Sequence, residues 1–170
     1  MKFKDIPQLT SVGSYQININ LNYLLFQLQS YEKEGLQYDP DFQRGHVWTE
    51  QQQISFIEFL LRGGNTGRVI YFNHPGWLGN WEGDFVVVDG LQRLTACKRF
   101  LNNEISAFGY YYYQYEDRIS NDIDLLFNVN NLKTRKEVLQ WYIEFNSGGT
   151  IHTEEEINRV KELLQKEISK

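Results

Sequence analysis

The segment 86–96, which reads VVVDGLQRLTA, constrains the fold of this chain more than any other stretch. Three consecutive valines are typical of a buried strand, and the LQRLTACKRFL that begins at position 91 has the apolar spacing of a helix. Asp89 and Gly90 lie between the two, so a strand must turn directly into a helix. Arg93 falls in the first turn of that helix, where the helix dipole is positive and disfavours a cation. An anion close to Arg93 is therefore expected.

Two interpretations of this junction supply that anion. In the first, Asp89 caps the helix, Gln92 completes a capping box, and Arg93 pairs with Asp89 four residues back, so the motif is structural. In the second, an anionic ligand is bound by Arg93 together with the free backbone N–H groups of the helix N-terminus, and Gly90 lets the ligand approach the backbone. The five residues by themselves favour the structural interpretation.

The rest of the chain combines predicted helices with a few predicted strands. Caps and apolar periodicity predict five helices, over 20–35, 49–63, 91–102, 134–146 and 153–168. Strands are predicted at 68–72, 84–88 and 107–115, the first two as a hairpin with a long connection, and 118–131 is assigned as partly helical. This mixture predicts a single α+β domain over 1–170, with a small mixed sheet and a C-terminal helix.

Composition limits the class of protein. A chain of 170 residues that is 41% hydrophobic and 15% aromatic can bury a substantial core. Its formal charge of −5 argues against a surface built throughout for phosphate backbones, while leaving room for a local basic groove. The sequence has no apolar run of membrane-spanning length, no secretory signal pattern and one cysteine, Cys97. We therefore expect a cytoplasmic protein with no membrane partner.

Two further segments contain groups suited to anions. Gln43 and Arg44 lie in an extended, turn-rich segment before a capped helix, from which they can reach outward to phosphates or base edges. The alternative is a solvated loop. The segment NSGGT at 146–150 contains Gly148 and Gly149, whose successive N–H groups can form an anion-binding nest. Its alternative is a turn between two helices that uses the conformational freedom of glycine.

Other chemistries have no pattern in the sequence. His46, His74 and His152 lack the spacing of zinc ligands, so no metal site is predicted. Neither G-x-x-x-x-G-K-[ST] nor G-x-S-x-G occurs, which excludes a P-loop ATPase and a nucleophile elbow by motif. The aromatic run YYYYQY at 110–115 could stack on bases, although such runs more often fill a core.

Taken in order, the three segments resemble the GmrSD-type restriction N-terminal domain. YDPDFQR at 38–44, followed by Trp48, is similar to its I-P-x-Y-Q-R-x-x-x-W opening, and VDGLQRLTA at 88–96 to its V-D-G-Q-Q-R-L-T-A signature. FNSGGT at 145–150, with Thr153 and Glu156, is similar to its F-x-R-I-N-x-G-G-T-P-L-S-x-x-E-L. The resemblance extends over about 21–164. Leu91 departs from the signature, and so does Ile151-His152, which replaces the usual Pro-Leu.

The resemblance implies a ParB/sulfiredoxin-like fold whose G-x-x-R turn binds nucleotide phosphates, and a role in bacterial or phage defence. Some members of the family hydrolyse nucleoside triphosphates or nick DNA. Asp89 and Arg93 are carried over as catalytic candidates, and His152 is added as a candidate proton-transfer group. The ligand-binding candidates are Gln43, Arg44, Gly90, Gln92, Asn146, Gly148, Gly149 and Thr150. Sulfiredoxin chemistry is excluded, because it needs a cysteine in this turn.

Three functions follow as hypotheses. The first is binding of a nucleoside triphosphate with Mg²⁺, followed by hydrolysis. The second is a ParB-like DNA nickase, whose phosphate track would use a set of cations: Arg44, Arg93, Lys98, Arg99, Lys133, Arg135 and Lys136. The third is a non-catalytic sensor, an anti-defence module or a partner of a separate nuclease. Full-length members carry a C-terminal HNH-type nuclease domain, and we expect this chain to act without it.

Overall fold

A computed structural model describes residues 2–6, 14–43, 47–147 and 154–169. The strands are Tyr15–Asn20 (β1), Val69–Asn73 (β2), Val86–Asp89 (β3) and Asp124–Asn130 (β4). The α-helices are Leu24–Lys33 (α1), Glu50–Leu61 (α2), Leu91–Leu101 (α3), Arg135–Ser147 (α4) and Glu154–Ile168 (α5), and short 3₁₀ turns lie at Phe3–Asp5, Leu21–Tyr23 and Tyr112–Gln114. The predicted α+β class is confirmed. None of these described helices is long and apolar enough to cross a bilayer.

The four strands form one mixed sheet in the order β1-β4-β2-β3. The outer pairs are antiparallel, β1 with β4 and β2 with β3, whereas the central strands β4 and β2 run parallel. The predicted hairpin of β2 and β3 is therefore confirmed, with an irregularity between Tyr71 and Phe72. On the other side of β3, Gln37 adds an isolated parallel bridge to Val86.

The sheet separates two apolar cores. One lies against α1, α2 and α3, and the other against α4 and α5. In β3, Val87 is buried in the first core while Val86 and Val88 are buried in the second. A strand that is covered on both faces has apolar residues at consecutive positions, which explains the three valines.

The assignment of 118–131 as partly helical is wrong, because these residues include β4, a central strand of the sheet. Leu125, Phe127 and Val129 alternate along it, Ile123 directly precedes it at the same spacing, and all four are buried in the first core. That period of two is the signature of a strand. The edge strand β1, which pairs with β4 from Tyr15 to Asn20, was not predicted.

The strand predicted at 107–115 is also wrong. Ala107 and Tyr110 form an isolated antiparallel bridge with each other, and a 3₁₀ turn follows. Phe108 and Gly109 have φ angles of 51° and 81°, and this left-handed backbone reverses the chain after two residues. The aromatic run therefore forms a compact loop.

Two of the predicted helix caps are confirmed, those at Thr49 and Thr134. The predicted Thr49–Gln52 capping box is present, with the Gln52 side chain accepting from the Thr49 N–H at 2.8 Å. Thr134 accepts from the Glu137 N–H at 3.2 Å and begins α4 as predicted. Thr153, the cap predicted for α5, lies outside the described residues. Ile168 follows Leu164 at helical spacing, which predicts an inward position, but it is exposed in the last turn of α5.

Candidate functional site

Gly90 forms the turn between β3 and α3. It is the N-cap of α3 and has a φ of 100°, in the left-handed region that favours glycine. A Cβ at this position would lie 2.6 Å from Cδ1 of the buried Ile70. Asp89 is the last residue of β3 and pairs with Tyr71, so the interpretation of Asp89 as the N-cap is wrong. Gly90 offers no side chain to the first-turn N–H groups.

Asp89 supplies the anion that Arg93 needs. Arg93 Nη2, in the first turn of α3, donates to Asp89 Oδ2 at the end of β3, and Arg93 Nη1 donates to the Gly67 carbonyl at 3.1 Å. The predicted pairing of these two side chains is confirmed. A guanidinium has five N–H donors, and these bonds use two of them. Arg93 therefore joins the β3–α3 turn to the loop before β2 and keeps donors for a further acceptor.

Gln92 does not complete a capping box. Its side-chain Oε1 accepts hydrogen bonds from the backbone N–H groups of Val47 and Trp48, each at 3.0 Å. Gln92 is buried, so these bonds replace water at two backbone donors. The side chain thus holds the segment before α2 against the first turn of α3.

Gln43 does not reach outward as expected. Its side chain is buried, and Nε2 donates to the carbonyls of Val87 at 3.1 Å and Val88 at 2.7 Å. Its own backbone carbonyl accepts from Arg159 Nη2 of α5 at 2.7 Å. Gln43 therefore links β3 to α5. The sequence offered no signal for Arg159, since this contact spans more than a hundred positions.

The remaining candidates are divided between α4 and the part of the chain that is not described. Asn146, near the end of α4, donates through Nδ2 to the Tyr142 carbonyl one turn earlier, at 2.8 Å. Tyr142 in turn packs edge-on against Phe42, with ring centroids 5.3 Å apart. The structure thus brings the segment before position 44 against α4. Arg44, Gly148, Gly149, Thr150 and His152 lie outside the described residues.

The family model described as "GmrSD restriction endonuclease, N-terminal domain" matches residues 25–169, most of the chain. This chain belongs to that family. No curated protein matches it, and no solved structure does. The match contains all three segments from which the resemblance was inferred. The chain is therefore a GmrSD N-terminal-type domain, a type of module found in restriction systems.

Most cations of the predicted phosphate track of this GmrSD N-terminal-type domain are bound by its own acceptors. Lys98 pairs with Glu32 at 3.1 Å, and the Lys133 ammonium donates to the Pro75 carbonyl. The other paired cations are Arg99 with Glu50 and Glu104, and Arg135 with Asp41 and Glu167. Lys98, Arg99 and Arg135 are therefore neutralised by carboxylates on the described surface, whereas Lys133 is bound by an uncharged carbonyl.

Metal and thiol chemistry find little support among the described residues. No three histidine, cysteine or acidic side chains in this part of the chain converge on a point where a metal ion would sit. Asp89, the acidic catalytic candidate that could position a divalent metal or a water, is bonded to Arg93. A resident cation does not fit this donor set, so Mg²⁺ would have to arrive with a phosphate ligand. Burial raises the pKa of the Cys97 thiol to about 12, so it is not a thiolate nucleophile at neutral pH.

Proposed function

We propose that this GmrSD N-terminal-type domain is a ligand-binding unit of a restriction system, and that its β3–α3 turn binds a phosphate group. A nucleoside triphosphate carried with Mg²⁺ is the first candidate. The proposal includes a ParB/sulfiredoxin-like fold, a bacterial cytoplasmic location and a separate nuclease as partner. The observation that carries it is the pairing of a glycine-capped helix N-terminus with Arg93, a cation in the same first turn.

A phosphate at this turn would satisfy both features. The N–H groups of Leu91 and Gln92 lie at the positive end of α3, where a negative charge is favourable. The remaining guanidinium donors of Arg93 can form charge-assisted bonds with phosphate oxygens. Asp89 acts as a competitor, because its carboxylate occupies Arg93 in the absence of a ligand. Binding would transfer part of Arg93 from Asp89 to the phosphate.

We place binding ahead of hydrolysis or nicking, and one observation favours this order. The polar side chains of the motifs that the structure describes are already engaged, Asp89 by Arg93, Gln43 by β3 and Gln92 by the segment before α2. A general base must be within reach of the proton that it removes. Catalysis would therefore depend on residues such as Arg44 and His152, and these are the ones to substitute in a turnover assay.

The test measures binding and turnover separately. The chain is unfolded thermally with each nucleoside triphosphate plus Mg²⁺, and with short duplex DNA, because a ligand that binds only the native state raises Tm. We expect Arg93→Gln to weaken triphosphate binding by at least about tenfold. Asp89→Asn should strengthen it, because a neutral amide competes less for Arg93. The matched control is Asp124→Asn, which removes the carboxylate from the Arg68–Asp124 pair, at 3.0 Å, outside the three motif segments.

Each outcome of this test distinguishes one of the alternatives from the proposal. A shift with DNA alone would replace the nucleotide by a nucleic-acid phosphate as the ligand. Triphosphate affinity that is unchanged in Arg93→Gln, while both folded proteins have the same unliganded Tm, would refute the turn as the site. If the domain hydrolyses a nucleoside triphosphate, and Asp89→Asn abolishes hydrolysis without loss of affinity, the domain is an enzyme rather than a binding unit.

A further inference from the structure

A cavity lies near the C-terminal end of α3, away from the β3–α3 turn at its N-terminal end. Its volume is about 220 Å³, and its walls include Leu61, Phe100, Tyr112 and Tyr115. Phe100 follows Arg93 by seven residues on the same helix, which places it about 10 Å further along the axis. None of the three family motifs contributes to this lining. The cavity is therefore a separate feature of the domain.

Four aromatic side chains line this cavity, which is half of its lining residues. Phe100 is buried, and it meets Tyr112 and Tyr115 edge-on with centroid separations of 5.7 and 6.1 Å. The Tyr115 hydroxyl donates to the Ala107 carbonyl at 2.7 Å, which fixes that ring to the loop. Rings held in this way offer π faces and edges to a flat ligand without a large cost of ordering.

Phe108 borders the cavity in a conformation that a bulky residue rarely adopts. Its φ is 51°, yet its side chain is exposed rather than buried in the core. The Phe108 N–H donates to Glu58 Oε1 at 2.8 Å, and the Arg62 guanidinium lies 5.2 Å from the ring centroid. Strained backbone of this kind persists where the surroundings hold it, and it clusters at ligand sites. The loop thus places an aromatic side chain at the cavity where core packing does not require one.

The cavity also has two charged side chains, and both are available. Asp117 and Arg118 line it and are exposed. Within the described ranges neither forms an ion pair or a side-chain hydrogen bond. Arg68, Arg93 and Arg99 differ, since each is paired with a carboxylate. A carboxylate acceptor and a guanidinium donor therefore both line a cavity that also has aromatic walls.

We propose that this cavity binds a guanine base, with its sugar outside. A volume of about 220 Å³ is below that of pockets for larger ligands and suits a single fused ring system. Guanine carries adjacent acceptors, N7 and O6, followed by adjacent donors, N1–H and N2–H. Arg118 matches the acceptors and Asp117 matches the donors. Adenine alternates acceptor and donor along the same edge, so it cannot satisfy both side chains in this way.

Guanosine is the probe, because it carries no phosphate and its binding is independent of the function proposed for the β3–α3 turn. The full chain is titrated with guanosine and adenosine to about 1 mM while backbone amide NMR shifts are followed. We expect guanosine to shift amides in 108–119 but not those at 91–93, and to bind at least about tenfold more tightly than adenosine. Asp117→Asn should remove that preference by weakening guanosine binding to a similar extent.

Glu116→Gln is the matched control. It removes one exposed carboxylate next to Asp117 in the sequence, at a position that does not line the cavity, and should leave the guanosine affinity unchanged. The proposal is overturned if neither nucleoside shifts amides in 108–119, if guanosine and adenosine bind equally, or if Asp117→Asn and Glu116→Gln behave alike. Guanosine shifts confined to 91–93 would likewise refute this cavity as the base site.

Discussion

At the scale of single residues, Gly90 combines a backbone requirement with a packing requirement, and the two can be separated. Gly90→Ala should destabilise the fold by about 1–2 kcal/mol for the left-handed backbone, plus about 1–3 kcal/mol for overpacking against Ile70. Gly35→Ala is the control, because Gly35 has a φ of 85° but no atom within 4 Å of its added Cβ. Urea unfolding should show the larger loss for Gly90→Ala. Equal losses would contradict the packing requirement, and Ile70→Val should recover part of the Gly90→Ala loss.

Gln92 illustrates a second residue-scale effect, the cost of leaving backbone donors without an acceptor. Gln92→Leu keeps the side-chain bulk but removes the oxygen that accepts from Val47 and Trp48. We expect a loss of about 1–3 kcal/mol in the free energy of unfolding. Gln51→Leu, at an exposed position in the first turn of α2, should change it by less than about 0.5 kcal/mol. Equal unfolding midpoints for the two variants would show that water replaces the lost acceptor.

At the scale of elements, the features that could be predicted from the sequence are those formed by residues close together along the chain. The Thr49 and Thr134 caps, the strand of valines and the Asp89–Arg93 pair all involve residues within four positions, and each is confirmed. The strand β4 was missed because its flanking asparagines and aspartates resemble turn or cap residues. The alternation of buried and less buried residues in β4 is stabilised only when β1 and β2 pair with it on either side.

The candidate site was less predictable than the fold for the same physical reason. Gln43 looked free for a ligand in an extended segment, but its donors meet β3 carbonyls 44 and 45 positions away. Arg93 donates to the backbone carbonyl of Gly67, and Arg159 donates to the backbone carbonyl of Gln43. Every residue has a backbone carbonyl, so the pattern of side chains does not indicate these contacts. Local pairing is readable from the sequence, whereas contacts between distant segments depend on how the layers pack.

The loop that leaves β2 gives an element-scale prediction for pH. His74 is fully buried, its Nδ1 accepts from the Gly76 N–H at 3.1 Å, and burial lowers its pKa below the ordinary 6.5. The negative charge of Glu34 raises the pKa of His74, and the positive charge of Lys133 lowers it further. The unfolded chain then binds the proton more readily, so stability is complete above pH 6.5 and falls as the pH drops. The limiting slope is about 1.4 kcal/mol per pH unit.

His74→Asn isolates this effect. The asparagine oxygen can accept from the Gly76 N–H as Nδ1 does, but it does not titrate. Urea unfolding between pH 7.5 and 5 should therefore lose most of its pH dependence in the variant. Glu32 and Glu137, whose pKa values are lowered by hydrogen bonds from Tyr38 and Thr134, act only below pH 4.5. An unchanged slope in His74→Asn would show that other groups govern this range.

At the scale of the whole molecule, charge pairing sets how the domain meets polyanions. The formal charge is −5, and outside the β3–α3 turn Lys98, Arg99 and Arg135 are each paired with a carboxylate. A cation that must leave its own carboxylate to meet a phosphate gains little from the exchange. We therefore expect weak duplex binding, with a slope of log affinity against log salt shallower than about −2, the value for two phosphate contacts.

Freeing one cation tests whether this pairing or the net charge controls DNA binding. The double variant Glu50→Gln with Glu104→Gln removes both carboxylate partners of Arg99. Fluorescence anisotropy of a labelled duplex across a NaCl series should give a slope steeper by about 0.9, the value for one added phosphate contact. Glu82→Gln with Glu116→Gln changes the net charge equally at exposed positions that pair with no described cation, so its slope should match the unmodified domain. If both variants steepen the slope alike, net charge governs the interaction and the pairing of Arg99 does not.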